Sequence, residues 1–170
     1  MRITYTHTRS QVPLFCENIG YDWDQEHVHR HQGYHYYQWM QSEKGTGIVK
    51  INDKIIRLQP NQGLLIRKNV PHEYYSDPDS KEKWITEFLV FYGSSADNLM
   101  AYLNLGDFFY VESMNFQLSS FIVEKFDSFS KDDWESSFKQ SSELFQFILL
   151  LKQNNSHEYN LFHTECKRHP

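Results

Sequence analysis

The sequence predicts an α+β fold: short antiparallel strands first, helices after them. Three observations carry this reading. Residues 45–75, GTGIVKINDKIIRLQPNQGLLIRKNVPHEYY, alternate apolar and polar side chains between tight-turn residues. After Gly93 the apolar spacing changes from two to three and four, the period of a helix. Strands and helices are segregated along the chain, which points to α+β layering.

The elements follow in order. Residues 1–12 are polar and unpatterned and read as an arm. Residues 13–24 hold a short apolar stretch around Leu14, Phe15 and Ile19, and 27–35 read as a polar, histidine-rich bend. Residues 34–41, YHYYQWMQ, are aromatic and β-prone, and predict a strand. Two strands, 48–51 and 54–58, flank the turn Asn52-Asp53 as a hairpin. Pro60 and Gly63 set the backbone before a strand at 63–66, and Asp77-Pro78-Asp79-Ser80 marks a loop. Residues 84–92, WITEFLVFY, form a further strand, apolar on both faces toward its end. Helices are expected at 95–104, 116–129 and 132–153. In the last, Trp134, Phe138, Ser141, Phe145, Ile148 and Leu151 recur at helical spacing. Asp132 and Asp133 at its start and Lys152 at its end suit the helix dipole. From Asn154 the chain is polar.

Composition narrows the function classes. The chain has 170 residues, room for one domain with a real core or a domain plus a helical annex. Mean hydropathy is -0.67 and hydrophobic content 39%, as in a soluble globular protein. The longest apolar run, 147–151, is far short of a membrane span, and the N-terminus lacks the apolar core of a secretory signal. Cys16 and Cys166 give no disulfide framework. The expected location is the cytoplasm, with no membrane partner. A net charge of -5 with no basic stripe argues against a grip on a phosphate backbone by this chain itself. Aromatic content of 16% fits an aromatic-lined pocket as well as a core. A nucleophile elbow, a phosphate-binding glycine loop, paired CxxC and HExxH are all missing, so no catalytic residue is assigned and the chain is not read as an enzyme. No cofactor is expected.

Short strands with tight turns, ending in Val70-Pro71-His72-Glu73-Tyr74, look like the second half of a cupin, a double-sheet β-barrel whose mouth holds a ligand or a metal. An ordered set of motifs makes the match more specific. It comprises His29-Arg30-His31-Gln32-Gly33, Gly45-Thr46-Gly47, Leu58-Gln59-Pro60-Asn61-Gln62-Gly63, the Pro71-His72 segment, and Trp84-Ile85-Thr86-Glu87-Phe88, with helices following. Over about 15–153 the chain resembles the N-terminal effector-binding and dimerisation domain of AraC/XylS-type bacterial transcription regulators. The resemblance implies a barrel that binds a small inducer and an antiparallel helix pair that makes a homodimer. On that basis 1–12 is the arm, 13–93 the cupin-like barrel, 94–154 the helical dimerisation region, and 155–170 a linker. Family members usually continue into helix-turn-helix modules, so the expectation is a sensor portion that reaches DNA only through a domain outside this chain.

The resemblance also selects site residues. Arginine and tyrosine hydrogen-bond the sugar in the arabinose-binding member, and both types are kept here as Arg30 and Tyr74. Five fixed guanidinium donors suit a polyol or a carboxylate, and a tyrosine face suits a sugar ring. Thr86 and Phe88 replace the histidine and tryptophan of that member, which implies a different inducer. Strand alternation brings Tyr36 with Gln38, and His72 with Tyr74, to the same interior face. A small polar metabolite, with a sugar expected, is the ligand. The alternative is a metal-dependent cupin enzyme such as a sugar isomerase or dioxygenase, built on His27, His29, His31, His35 and His72. Gln38 stands where a metal-binding cupin carries its glutamate, and Arg67-Lys68-Asn69 alters the later motif, so no metal is expected. His72 and Glu73 point to opposite faces and cannot act as a pair. For dimerisation the expected residues are Phe138, Phe145, Ile148 and Leu151.

Overall fold

A computed structural model describes residues 1–6 and 12–165, with 156–165 in backbone only. The described chain forms ten strands and three helices. These are β1 (Arg2–Tyr5), β2 (Phe15–Asp24), β3 (Val28–Arg30), β4 (Tyr37–Lys44), β5 (Gly47–Ile51), β6 (Lys54–Leu58), β7 (Gly63–Ile66), β8 (His72–Ser76), β9 (Ile85–Tyr92), α1 (Ala96–Tyr102), β10 (Phe108–Val111), α2 (Phe116–Phe129) and α3 (Trp134–Glu165).

Two antiparallel sheets face each other. The larger has the order β1-β2-β9-β4-β7-β10 and the smaller β3-β8-β5-β6. The expected hairpin is present: β5 pairs β6 from Gly47↔Leu58 to Ile51↔Lys54. Asn52 in its turn has φ 51, a left-handed conformation that asparagine tolerates.

The larger sheet is buried on both sides, and this orders the whole molecule. Along β4, Gln38 and Met40 face the smaller sheet, while Tyr37 and Trp39 face the helices. Along β9, Leu89 and Phe91 belong to the helix-side core with Phe121, Phe147 and Ile148. Met40, Val49, Leu64, Tyr74 and Trp84 form the core between the sheets. The central strands therefore read as nearly continuous apolar runs, as WITEFLVFY does. Asn154, inside α3, ties that helix to the start of α2: its Oδ1 accepts from Asn115 N at 2.9 Å and its Nδ2 donates to Ser113 O at 2.9 Å.

Several expectations change. Arg2–Tyr5, read as part of an arm, is an edge strand paired with β2 from Arg2↔Tyr21 to Tyr5↔Asn18. Residues 7–11 of that arm lie outside the described residues. The histidine-rich bend contains β3, which pairs with β8 and completes the smaller sheet. The apolar stretch at 13–24 is a ten-residue strand whose register shifts between Cys16 and Asn18 and between Gly20 and Trp23. Those bulges break the alternation that would have marked it. Strand β10 was not expected; it caps the sheet edge by pairing with β7. Helix α3 runs to Glu165, into the segment read as a linker, and 166–170 lie outside the described residues.

Candidate functional site

A cavity of about 200 Å³ is lined by residues of both sheets. The larger sheet contributes Asn18 and Trp23 from β2, Gln38 and Met40 from β4, and Phe88 and Val90 from β9. The smaller sheet contributes Val28, Arg30 and Tyr74. Ile3 and Tyr5 of β1, with Gln25, Glu26 and Tyr34 from connecting segments, complete the wall. Phe88 is seated against Gly20, where a Cβ would collide with its ring. That close approach needs glycine, and it places the Phe88 ring edge-on to Trp23 at 5.7 Å.

The polar groups on this wall are held in place by their neighbours. Gln38 is buried, and its Nε2 donates to the Tyr74 hydroxyl at 3.1 Å. The Arg30 guanidinium lies 4.1 Å over the Tyr34 ring. The Tyr34 hydroxyl donates to Glu17 Oε2 at 2.5 Å, and Asn18 Nδ2 donates to the same oxygen at 3.0 Å. Burial and the neighbouring Glu17 carboxylate push the Tyr34 phenol well above its usual range, so it stays protonated.

Three buried polar atoms in this region have no hydrogen-bond partner: Arg30 Nε, Gln38 Oε1 and His72 Nε2. Such atoms are rare and costly in folded proteins, and each calls for an explanation. His72 pairs with Arg30 across β3 and β8 and stacks on Tyr74 at 5.8 Å. Its Nδ1 lies 2.7 Å from Val70 O, an acceptor, so the proton sits on Nδ1 and Nε2 keeps a lone pair. Burial lowers its pKa, with Arg30 and His29 adding to the effect, and keeps the ring neutral.

The expected site residues divide into two groups. Arg30, Gln38, Tyr74 and Phe88 line the cavity. Thr86 is fully buried just behind it; its Oγ1 donates at 2.9 Å to Oε1 of Gln25, which does line the wall. His72 likewise lies beside the wall, behind Tyr74. Tyr36 points elsewhere. It stacks on Tyr92 at 4.3 Å, and both line a separate surface pocket with Phe15. Strand β4 starts at Tyr37, so the alternation linking Tyr36 to Gln38 does not extend that far. Asn18, Trp23 and Tyr34 were missed because bulges and a non-strand turn bring them in, and neither leaves a period in the sequence.

His27 Nε2 lies 2.7 Å from Glu73 Oε1 on the outer surface, and the His29 and His31 rings are 3.7 Å apart. Among the described residues, no three of His, Cys, Asp and Glu are placed to hold a metal ion. Nor, among them, is any helix long and apolar enough to cross a membrane.

The dimerisation set also divides. Ile148 and Leu151 are fully buried in the chain's own core against the larger sheet, which corrects their expected place in an interface. Phe138 and Phe145 are exposed on a neighbouring flank of α3, in line with exposed Trp134 and Leu149. Periodicity shows which helix residues are apolar, and not which of two apolar sides the chain covers itself.

A double-sheet barrel with a cavity between its sheets and helices on the far face of one sheet is a cupin-like α+β fold. The family model for the AraC-like ligand binding domain matches residues 14–148, and the chain belongs to that family. The apo structure of ToxT from Vibrio cholerae superposes with a TM-score of 0.56 at 13% identity, over 89% of this chain and 59% of that one. ToxT bound to an unsaturated fatty acid gives 0.47 at 14% identity, over 79% and 52%. A cupin superfamily protein from Desulfitobacterium hafniense gives 0.35 at 13% identity, over 52% and 73%. At these identities the likeness is one of fold, and the chain spans 59% of the apo ToxT chain's length. No curated protein matches the sequence. The family is one of ligand sensing in AraC-type regulators and points to a regulator rather than an enzyme.

Proposed function

We propose that this chain is the effector-sensing domain of an AraC-type transcription regulator. It binds a small polyhydroxylated metabolite, a sugar or close relative, in the cavity between Arg30, Gln38, Tyr74 and Phe88. The bound state is passed to an attached helix-turn-helix DNA-binding domain. The observation that carries the reading is the set of unpartnered buried atoms, Arg30 Nε and Gln38 Oε1 on the wall and His72 Nε2 beside it. One donor and one neutral acceptor unpaired on residues of the cavity wall, with a second neutral acceptor beside it, match a ligand bearing several hydroxyls. Such a ligand would stabilise the native state by mass action.

The dimer belongs to the same proposal, with its surface reassigned. The exposed stripe Trp134, Phe138, Phe145 and Leu149 runs at spacings of four and seven along α3, a seam suited to packing against the same helix of a second copy.

A thermal-shift screen of mono- and disaccharides against wild type and Arg30→Ala tests the reading. The expected result is a rise in melting temperature with at least one compound that the variant loses. A rise of equal size in both proteins would remove the cavity from the function.

A further inference from the structure

We infer that the effector carries a carboxylate beside its hydroxyls, making it a sugar acid or related polyhydroxy acid rather than a neutral sugar. The inference rests on the sensing role just proposed and narrows the ligand class of that same cavity.

Arg30 supplies the first argument. It is the cation on the cavity wall, and among the described residues it makes no ion pair and no side-chain hydrogen bond. Elsewhere Asp77 is paired by Arg57 at 2.8 Å, Glu73 by His27 and Lys50, and Glu143 by Lys125. The carboxylate of Glu17 is already engaged by Tyr34 and Asn18. Tyr34 covers one face of the guanidinium, and Nε is out of reach of water. A half-buried guanidinium on a cavity wall has no counter-charge there, and a planar carboxylate is the group its donor fork fits best. Glu26 also stands at the rim, but it is exposed, where water and salt screen its charge.

Gln38 supplies the second. Its Oε1 is a neutral acceptor with no donor, on a side chain 6% exposed. A carboxylate alone cannot satisfy it, and a hydroxyl can. The two unmet needs, an anionic acceptor at Arg30 and a donor at Gln38, are met together by a hydroxy acid. A cavity of about 200 Å³ admits a compact polyol and leaves no room for a long acyl chain.

The test is calorimetry with matched pairs at equal ionic strength: D-gluconate against D-glucose, D-galacturonate against D-galactose, L-arabinonate against L-arabinose, and D-glycerate against glycerol, with oleate alongside. The expected result is that one acid binds at least tenfold tighter than its neutral partner. Arg30→Gln should lose that advantage, Arg30→Lys should keep part of it, and the free proteins should melt together. A neutral sugar binding as tightly as its acid would overturn the inference while leaving the sensing role standing. Equal acid affinity in Arg30→Gln would overturn it too. If no acid or neutral polyol binds, or oleate alone does, the inference and the sugar-type reading of the cavity both fall.

Discussion

Gln38 and Tyr74 join the two sheets of the barrel. The amide Nε2 of Gln38, on the larger sheet, donates at 3.1 Å to the hydroxyl of Tyr74, on the smaller one. This bond sets the orientation of the amide and turns Oε1 outward from it without a partner. The wall thus carries an unpaired buried acceptor before any ligand arrives.

Gln38→Met keeps the volume and removes that acceptor. An unmet buried carbonyl costs about 1–3 kcal/mol, so its removal offsets the loss of the bond to Tyr74. The variant is expected to melt within a few degrees of wild type and to bind the effector at least tenfold more weakly. Calorimetry and a melting curve on the same preparation check both halves.

Removing Arg30 acts on the ligand and not on the fold, since its side chain anchors nothing but the Tyr34 ring. Loss of a charged hydrogen bond is worth about 1.5–3 kcal/mol. Arg30→Ala should therefore weaken effector binding roughly ten- to a hundredfold, with little change in the melting temperature of the free protein.

Glu87 makes stability depend on pH. It lies on the helix side of β9, where its carboxylate accepts from Gln41 Nε2 at 3.0 Å, and the same amide donates to Ser119 O of α2 at 2.9 Å. Burial raises its pKa to about 7, with nearby Glu43 adding to the effect. A carboxyl whose pKa is raised on folding costs nothing below its ordinary value of 4.5 and progressively destabilises the fold as pH rises from there to about 7. His72 runs the other way, because its lowered pKa destabilises the fold as pH falls below the ordinary 6.5. Glu87→Gln should raise the melting temperature at pH 8 more than at pH 5. Equal shifts at the two pH values would show that Glu87 is not the group responsible.

The two sides of α3 respond differently to charge. Phe138→Glu with Phe145→Glu places charges on exposed positions and should leave the chain folded while halving the sedimentation mass. Ile148→Glu buries a charge in the chain's own core, costing several kcal/mol, and should unfold the protein. A folded Phe138/Phe145 double variant with the wild-type mass would place any dimer contact elsewhere.

Local signals made part of this legible in the sequence. The β5–β6 hairpin was readable because turn and alternation lie within a dozen residues and agree. Helix α2 was readable to the residue, with Asn115 capping Leu118 N at 3.0 Å. Strands β1 and β10 were not, because each is only four residues long and exists through pairing with a distant strand. The site shows the same division. Gln38, Tyr74 and Phe88 followed from alternation and resemblance. Asn18 and Tyr34, which brace the wall through Glu17, came from a bulge and a turn that only the folded chain defines.

The central claim is that the cavity between the two sheets is the effector site, and a crystal structure of the chain with the tightest compound from the calorimetric series tests it most directly. The account predicts the ligand between Arg30, Gln38, Tyr74 and Phe88, with a hydrogen bond to Gln38 Oε1 and an anionic oxygen on the Arg30 guanidinium. A ligand bound elsewhere, with the cavity unchanged and both atoms still unpartnered, would contradict it.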